Sequence, residues 1–158
     1  EKLAGQPLLD AVAAADVVLD CSDRFATRHE VNRACVALGK PLVSGAAVRL
    51  DGQLSVFDVR RADSPCYACL YPDTADFEED RCATLGVFAP LVGIIGTMQA
   101  AEVIKLLAGF GEPLTGRLLT LDARSMAVMT LAIKRQPDCA VCGGRHALAD
   151  AAGAATDA

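Results

Sequence analysis

The chain has 158 residues, of which 53% are hydrophobic and 4% aromatic, and it contains no tryptophan. This length is sufficient for one domain with an interior of Ala, Val, Leu and Ile, a composition that suits helices packed on a buried sheet. Twenty acidic and fifteen basic residues give a net charge of −5, which argues against nucleic acid and anionic membranes as partners.

The first elements predict a parallel βαβ unit. Residues 16–21 form a β-branched apolar run, typical of a strand buried on both faces. Ser22 or Asp23 can then cap a helix that reaches Leu38, where a glycine and a proline end it. Residues 41–47 provide the next strand. A strand, a helix and a strand within about 30 residues indicate parallel pairing.

The second part of the chain predicts antiparallel strands. An Asp51-Gly52 pair between apolar runs indicates a hairpin turn. Five acids within residues 73–81 indicate a solvated loop. The remaining predicted elements are a long helix over 89–107, two strands over 117–123 and 127–133 that form a second hairpin, and a flexible tail over 147–158.

Two further features concern location and completeness. The apolar residues 85–101 are interrupted by Pro90, Gly93 and Gly96 and followed by Glu102, so they predict a buried helix rather than a membrane span. Seven cysteines without a secretory signal argue against a disulfide framework and predict a cytoplasmic protein.

The chain opens without an initiator methionine, on residues typical of the middle of a domain, and we therefore expect part of a larger protein.

Four of the cysteines form two CxxC pairs. A redox CxxC normally lies where a strand enters a helix, a setting that the sequence shows for neither pair. Disulfides across such short loops are disfavoured in a reducing cytosol. Gly143 after the second pair suits a tight metal-binding turn, because glycine tolerates a positive φ. We predict a structural zinc ion bound by Cys66, Cys69, Cys139 and Cys142, with no open position for a substrate; unliganded core thiols are the alternative.

Three other residues are candidates for chemistry. Asp23 follows the carboxyl end of the first strand, where open α/β sheets bind ligands and a carboxylate can hold a metal ion that bridges phosphates; the alternative is a helix cap. Arg28, one turn into the helix, could reach the same crevice or lie on a solvated face. Cys82, near a helix start, is a candidate nucleophile or a buried bystander. Cys21 and Cys35 are predicted to lie in the core.

Five segments occur in a specific order along most of the chain. They are DCSDRFATRHEVNRACV over 20–36, GAAVRLDGQLSVFD over 45–58, CYACLYPD over 66–73, RCATLGVFAPLVGIIGTMQAAEVIKLLAG over 81–109 and CAVCG over 139–143. In this combination the chain resembles the HesA/MoeB/ThiF family, the bacterial adenylyltransferases of the ubiquitin-activating type.

The resemblance implies an α/β fold: the C-terminal half of a Rossmann-like domain, with parallel strands followed by antiparallel strands and a four-cysteine zinc hook. It implies a homodimer that uses ATP and Mg²⁺ to adenylylate the C-terminal glycine of a ubiquitin-fold sulfur-carrier protein of a thiamin or molybdopterin type pathway. Asp23 matches the aspartate that positions magnesium, and Arg28 lies near it as a second predicted cofactor-binding residue. Cys82 matches a cysteine that is linked to the carrier in the thiazole branch, and the two CxxC pairs match the zinc ligands.

The chain departs from the family pattern in two places. Arg24 stands where the family usually has asparagine, and the family's glycine-rich nucleotide loop is absent between Glu1 and Ala158. We therefore expect residues 1–146 to be a partial adenylyltransferase domain that is inactive alone, because backbone N–H groups of such a loop bind most of the phosphate. The alternatives are half of an NAD-dependent oxidoreductase and a non-catalytic, zinc-stapled module that binds a ubiquitin-fold partner.

Overall fold

The structure is a computed structural model that describes residues 3–73 and 85–144. Cys82, most of the predicted acidic loop and the predicted tail lie outside the described residues. The elements in chain order are α1 (Gln6–Ala14), β1 (Val18–Asp20), α2 (Phe25–Leu38), β2 (Leu42–Val48), β3 (Asp51–Phe57), α3 (Tyr67–Leu70), α4 (Ala89–Ala108), β4 (Arg117–Asp122) and β5 (Ala127–Ala132).

The sheet confirms the predicted change from parallel to antiparallel pairing. Within the described ranges it has five strands, which lie side by side in chain order from β1 to β5. β1 pairs in parallel with β2, with Val18 opposite Leu42, whereas each later pair of neighbours is antiparallel. The carboxyl ends of β1 and β2 therefore meet at one end of the sheet, the place where open α/β sheets bind ligands.

The first hairpin turns earlier than the sequence predicted. Arg49 and Leu50 connect β2 to β3, and Arg49 adopts a φ of 51°. Asp51 and Gly52 instead belong to β3. A Cβ atom on Gly52 would lie 2.8 Å from Cδ1 of Ile95. The Asp-Gly prediction was wrong because this glycine makes room for the helix packed on the sheet and does not form a turn.

Alternate residues of the central strands face two layers of helices. Val43 of β2 packs in one cluster with Leu91 of α4. Its neighbour Leu42 packs in another cluster with Phe57 of β3 and Cys35 of α2. Cys35 is 2% exposed, which confirms its predicted core position. The sheet is thus covered by α4 on one face and by α1, α2 and α3 on the other.

Helix α4 is buried along one face only, which corrects the prediction of a buried helix. Ile104 and Leu107 are 56% and 59% exposed. A Cβ atom on Gly93 or Gly96 would meet nothing within 4 Å in the described part of the chain, so these glycines serve no close packing there. By length and composition alone α4 could cross a membrane, a criterion that core helices of soluble proteins also meet. The buried residues of α4 are Leu91, Ile95, Gln99 and Glu102.

Candidate functional site

The cysteines of the two CxxC pairs converge on one point. Their four sulfur atoms lie within 4.8 Å of one another. The Sγ atoms of Cys66 and Cys139 are 3.8 Å apart, and those of Cys69 and Cys142 are 3.4 Å apart. Tetrahedral Zn–S bonds of about 2.3 Å place sulfurs about 3.8 Å apart, so the cluster has the size that a bound metal requires. A disulfide, with an S–S bond of about 2.05 Å, is not formed.

The backbone around each pair explains how the sulfurs meet. Cys66 is the N-cap residue of α3 and Cys69 lies within it, so the first pair stands at the start of a four-residue helix that the sequence did not predict. The preceding strand β3 ends at Phe57 and does not lead directly into this helix. In the second pair the Gly143 N–H donates to the Cys139 carbonyl at 2.7 Å. A Cβ atom on Gly143 would lie 2.5 Å from the Pro137 carbonyl oxygen. Gly143 is therefore required for close backbone approach, and it has no positive φ.

Two hydrogen-bond donors contact the sulfurs of the first cysteine pair. Nδ2 of Asn32 donates to Sγ of Cys66 at 3.7 Å, and the backbone N–H of Gln136 donates to Sγ of Cys69 at 3.4 Å. Hydrogen bonds from the Cys66 thiol and from this N–H lower the pKa of Cys69, whereas the hydrogen bond to Cys69 raises the pKa of Cys66 and burial raises the pKa of Cys142. Because cysteine binds metals as the thiolate, four converging sulfurs, two of which accept hydrogen bonds from these donors, fit a soft cation such as zinc.

A cavity of about 720 Å³ lies at the carboxyl ends of β1 and β2, and both Asp23 and Arg28 line it. The structure thus brings these two predicted residues together, apart from the cysteine cluster. Asp23 is exposed. The N-cap residue of α2 is Arg24, and no side-chain capping hydrogen bond to this helix is found among the described residues, so the capping alternative for Asp23 is not what the structure shows.

Arg28 is buried beside the cleft, with 7% of its surface exposed. Its guanidinium donates to Oδ2 of Asp20 at 3.3 Å, to Oγ of Ser44 at 3.1 Å and to the Gly45 carbonyl at 3.0 Å. It also donates to the Ser22 carbonyl. The solvated-face alternative for Arg28 was therefore wrong. The guanidinium joins the carboxyl end of β1, the middle of β2 and the loop that follows β1.

Asp20 is part of this network and was missed from the sequence. Its Oδ1 accepts hydrogen bonds from the backbone N–H and the hydroxyl of Ser22, at 3.0 and 2.7 Å. The side chain is buried and paired with Arg28. A signal existed, because a carboxylate at the end of an apolar strand requires a partner when it is buried, and an arginine follows eight residues later.

Gln99 and Cys21 also line the cleft and were not predicted there. Nε2 of Gln99 donates to the carbonyl oxygens of Asp20 and Val43 at 3.1 and 3.3 Å. The thiol of Cys21 donates to Oε1 of Gln99 at 3.4 Å. The prediction that Cys21 lies in the core was wrong, because β1 ends at Asp20 and leaves Cys21 exposed in the loop.

An aromatic wall connects the cleft to the cysteine cluster. Phe25, Tyr67 and Tyr71 line the cavity, and the rings of Tyr67 and Tyr71 lie 5.0 Å apart between centroids. Both tyrosines belong to α3 or directly follow it, so the segment that holds Cys66 and Cys69 also forms one side of the cleft.

The mixed sheet, the cleft at the carboxyl ends of its parallel strands and the four-cysteine cluster define a Rossmann-like α/β domain with a site that could hold a metal such as zinc. The model of the ThiF family matches residues 1–141. The chain belongs to the ThiF family, which confirms the resemblance seen in the sequence.

Relatives and solved structures agree with this assignment. The chain is 48% identical over 147 residues to the sulfur carrier protein ThiS adenylyltransferase of Escherichia coli, covering 93% of the chain and 57% of that protein. It is 44% identical over 134 residues to the E. coli molybdopterin-synthase adenylyltransferase, covering 84% of the chain and 52% of that protein. The fold matches a crystal structure of E. coli MccB with a TM-score of 0.71 at 21% identity, covering 90% of the chain and 44% of MccB. The chain thus spans about half the length of these relatives.

Proposed function

We propose that the full-length protein adenylylates the C-terminal glycine of a ubiquitin-fold sulfur-carrier protein. The observation that carries the proposal is the position of Asp23, an exposed carboxylate on the cleft at the carboxyl end of β1. Two E. coli relatives are adenylyltransferases named for a sulfur carrier and for molybdopterin synthase. The carrier is therefore the macromolecular substrate of the proposed reaction.

The reaction requires alignment and charge neutralisation rather than a general base. A carboxylate oxygen of the carrier's terminal glycine attacks the α-phosphorus of ATP and forms a new P–O bond. The bond from this phosphorus to the oxygen that bridges to the β-phosphate breaks, and pyrophosphate leaves with the electron pair. The nucleophile is already ionised at neutral pH, so the protein has to hold the two reactants in line and neutralise negative charge.

Asp23 and Arg28 have different parts in this proposal. Asp23 would hold Mg²⁺, which neutralises phosphate charge when it is bound; an exposed carboxylate oxygen is a suitable ligand for this hard cation. Arg28 supports the loop, because its guanidinium already has four protein acceptors. A direct contact between Arg28 and ATP stays a prediction. The role of Cys82 as the cysteine that is linked to the carrier also stays a prediction.

The cysteine cluster has a structural part. Zinc held by four thiolates has no open position, so it would join α3 to the segment around Cys139 without taking part in the reaction. Homodimerisation and a cytoplasmic location belong to the same proposal. The chain contains no glycine-rich nucleotide loop, and we propose that residues 1–158 alone do not catalyse adenylylation.

The test is carrier-dependent exchange of labelled pyrophosphate into ATP by the full-length protein, after its mass and zinc content have been measured. Asp23→Asn should abolish most of the exchange, because the amide keeps the shape and loses the charge. Asp10→Asn is the matched control, because Asp10 is an exposed aspartate on α1 that accepts a hydrogen bond from Gln6. Pyrophosphate exchange by this variant should equal that of the unmodified protein. Carrier binding without exchange would favour the non-catalytic module instead, and NAD binding would favour the oxidoreductase.

A further inference from the structure

Gln99 is a buried polar residue on an otherwise apolar helix face. It is 3% exposed and lies one helical turn after Ile95 on the side of α4 that faces the sheet. An amide in such an interface is unfavourable unless its hydrogen bonds are satisfied. The residues that satisfy the amide therefore indicate what it does.

The amide of Gln99 bonds to the end of β1 and to its neighbour β2. Nε2 donates to the Asp20 and Val43 carbonyl oxygens, at 3.1 and 3.3 Å, and Oε1 accepts from the Cys21 thiol at 3.4 Å. Two carbonyl oxygens on one side fix the orientation of the amide, since only its nitrogen can donate to them. Gln99 thus contacts the last residue of β1 and the first residue of the loop that leads to Asp23.

Gly45 on β2 makes this contact possible. A Cβ atom at position 45 would lie 2.4 Å from Cδ, 2.5 Å from Oε1 and 2.8 Å from Nε2 of Gln99. The Gly45 carbonyl in turn accepts a hydrogen bond from Arg28 at 3.0 Å. The amide therefore occupies space that only a glycine on β2 leaves open.

Asp20 is held from two helices that cover opposite faces of the sheet. Gln99 of α4 binds its main-chain carbonyl, and Arg28 of α2 binds its side-chain carboxylate. Arg28 also binds the Ser22 carbonyl. The chain is therefore fixed by side chains on both sides immediately before Asp23, which makes no capping bond of its own to α2.

We infer that Gln99 is a positioning residue that sets the path of the loop from Asp20 to Asp23 and thereby the placement of the Asp23 carboxylate. This inference rests on the proposed adenylylation, in which Asp23 holds Mg²⁺. Although Gln99 lines the cleft, its amide already bonds to Asp20, Val43 and Cys21, so it acts through the loop. Its loss should change the alignment in the cleft, to which catalysis is sensitive even at a displacement of about 1 Å.

The experiment uses two variants of the full-length protein, with Gln6→Glu as a control on exposed α1. Gln99→Met keeps the length of the side chain and removes the donor, whereas Gln99→Glu places a carboxylate against two carbonyl oxygens. Hydrogen–deuterium exchange at the backbone amides of residues 21–24 should become faster in Gln99→Met, with strands β2 to β4 unchanged. The Mg²⁺ concentration for half-maximal pyrophosphate exchange should rise about tenfold, while the KM for the carrier stays the same.

A double-mutant cycle separates positioning from general support. If Gln99 acts through Asp23, adding Gln99→Met to Asp23→Asn should cause no further loss of exchange, whereas independent effects would add. Additive losses, unchanged amide exchange in the loop, or unfolding of both Gln99 variants would overturn the inference. In the last case the residue would support the whole domain. An unmodified protein without carrier-dependent exchange would contradict the proposed function, and the amide-exchange result would then still decide whether Gln99 holds the loop.

Discussion

The hydroxyl of Tyr71 donates a hydrogen bond to Oε1 of Gln53, and this contact joins the cysteine cluster to the wall of the cleft. Tyr71 is the C-cap residue of α3, the single helical turn that holds Cys69. Gln53 lies on β3, and both partners line the cavity. We therefore expect a change in the cluster to alter the cleft through this contact.

Metal removal should both destabilise the domain and alter the cleft. Structural zinc contributes about 10–16 kcal/mol of apparent binding free energy in small zinc-finger peptides, so a chelator or Cys139→Ser should lower the melting temperature markedly. Tyr71 should lose its fixed position at the same time, and the KM for the carrier should rise. Thermal melting, zinc content and exchange kinetics measure these effects. Cys21→Ser is the control for the measurement of zinc content. A metal-free protein with an unchanged melting temperature would contradict the assignment of a structural zinc site to the four cysteines.

Gly143→Ala should weaken the second cysteine pair. The added Cβ would lie 2.5 Å from the Pro137 carbonyl oxygen and 2.6 Å from that of Cys139, and backbone atoms cannot retreat as a flexible side chain can. We expect a loss of about 1–3 kcal/mol in the free energy of unfolding, measured by chemical denaturation, and weaker zinc binding. Gly144→Ala is the matched control, because a Cβ on Gly144 would meet nothing within 4 Å among the described residues. Equal stability of the two variants would contradict the prediction.

Arg28→Lys should destabilise the protein although it keeps the charge. An ammonium group cannot reach the spread of acceptors that the planar guanidinium of Arg28 serves, from Asp20 to the Gly45 carbonyl. The expected loss is about 1–3 kcal/mol in the free energy of unfolding. Arg33→Lys is the control: its partner Asp73 lies 2.7 Å away and both side chains are about half exposed, so that loss should stay below about 1 kcal/mol. Similar losses in the two variants would show that the buried hydrogen bonds of Arg28 contribute no more to stability than the exposed ion pair of Arg33.

His29 should make stability depend on pH. Burial lowers the pKa of His29 below its usual 6.5, although Asp73, whose Oδ1 lies 3.8 Å from Nε2, opposes the shift. The unfolded state therefore binds the proton more readily than the folded state does. The stability from the neutral imidazole is complete above pH 6.5 and is lost as the pH falls from there towards the folded pKa. Denaturation at several pH values should show a smaller decrease for His29→Phe, which keeps the ring contact with Tyr67; identical pH profiles would refute this.

The sequence predicted those features that depend on spacing and order. The spacing of the two CxxC pairs predicted that their four sulfurs meet at one metal site, and the structure brings these sulfurs together. A carboxylate just after the first predicted strand indicated the position of Asp23 on the cleft, although β1 is not buried on both faces as predicted, since its Leu19 is 44% exposed. Both predictions depend on short sequence patterns, because the spacing of ligands and the ends of strands can be recognised from neighbouring residues alone.

The features that the sequence did not predict depend on packing between distant segments. Gly52 resembled a turn residue, but it accommodates Ile95, which lies more than forty residues later. Gln99 in an apolar helix carries no sign of the two carbonyl oxygens that it binds. Cys21 was placed in the core because the strand was expected to continue for one more residue. Only the folded arrangement reveals these partners.

The sulfurs of Cys66 and Cys139 are 73 residues apart in sequence, and this separation has a consequence for the order of folding. The strands of each hairpin are joined by only a few residues, so β2 with β3 and β4 with β5 can pair soon after folding begins. Bringing the two cysteine pairs together closes a much longer loop, at a larger entropic cost. We expect the hairpins to form first and the metal to bind late. The metal then stabilises a chain that is already nearly folded and does not nucleate folding.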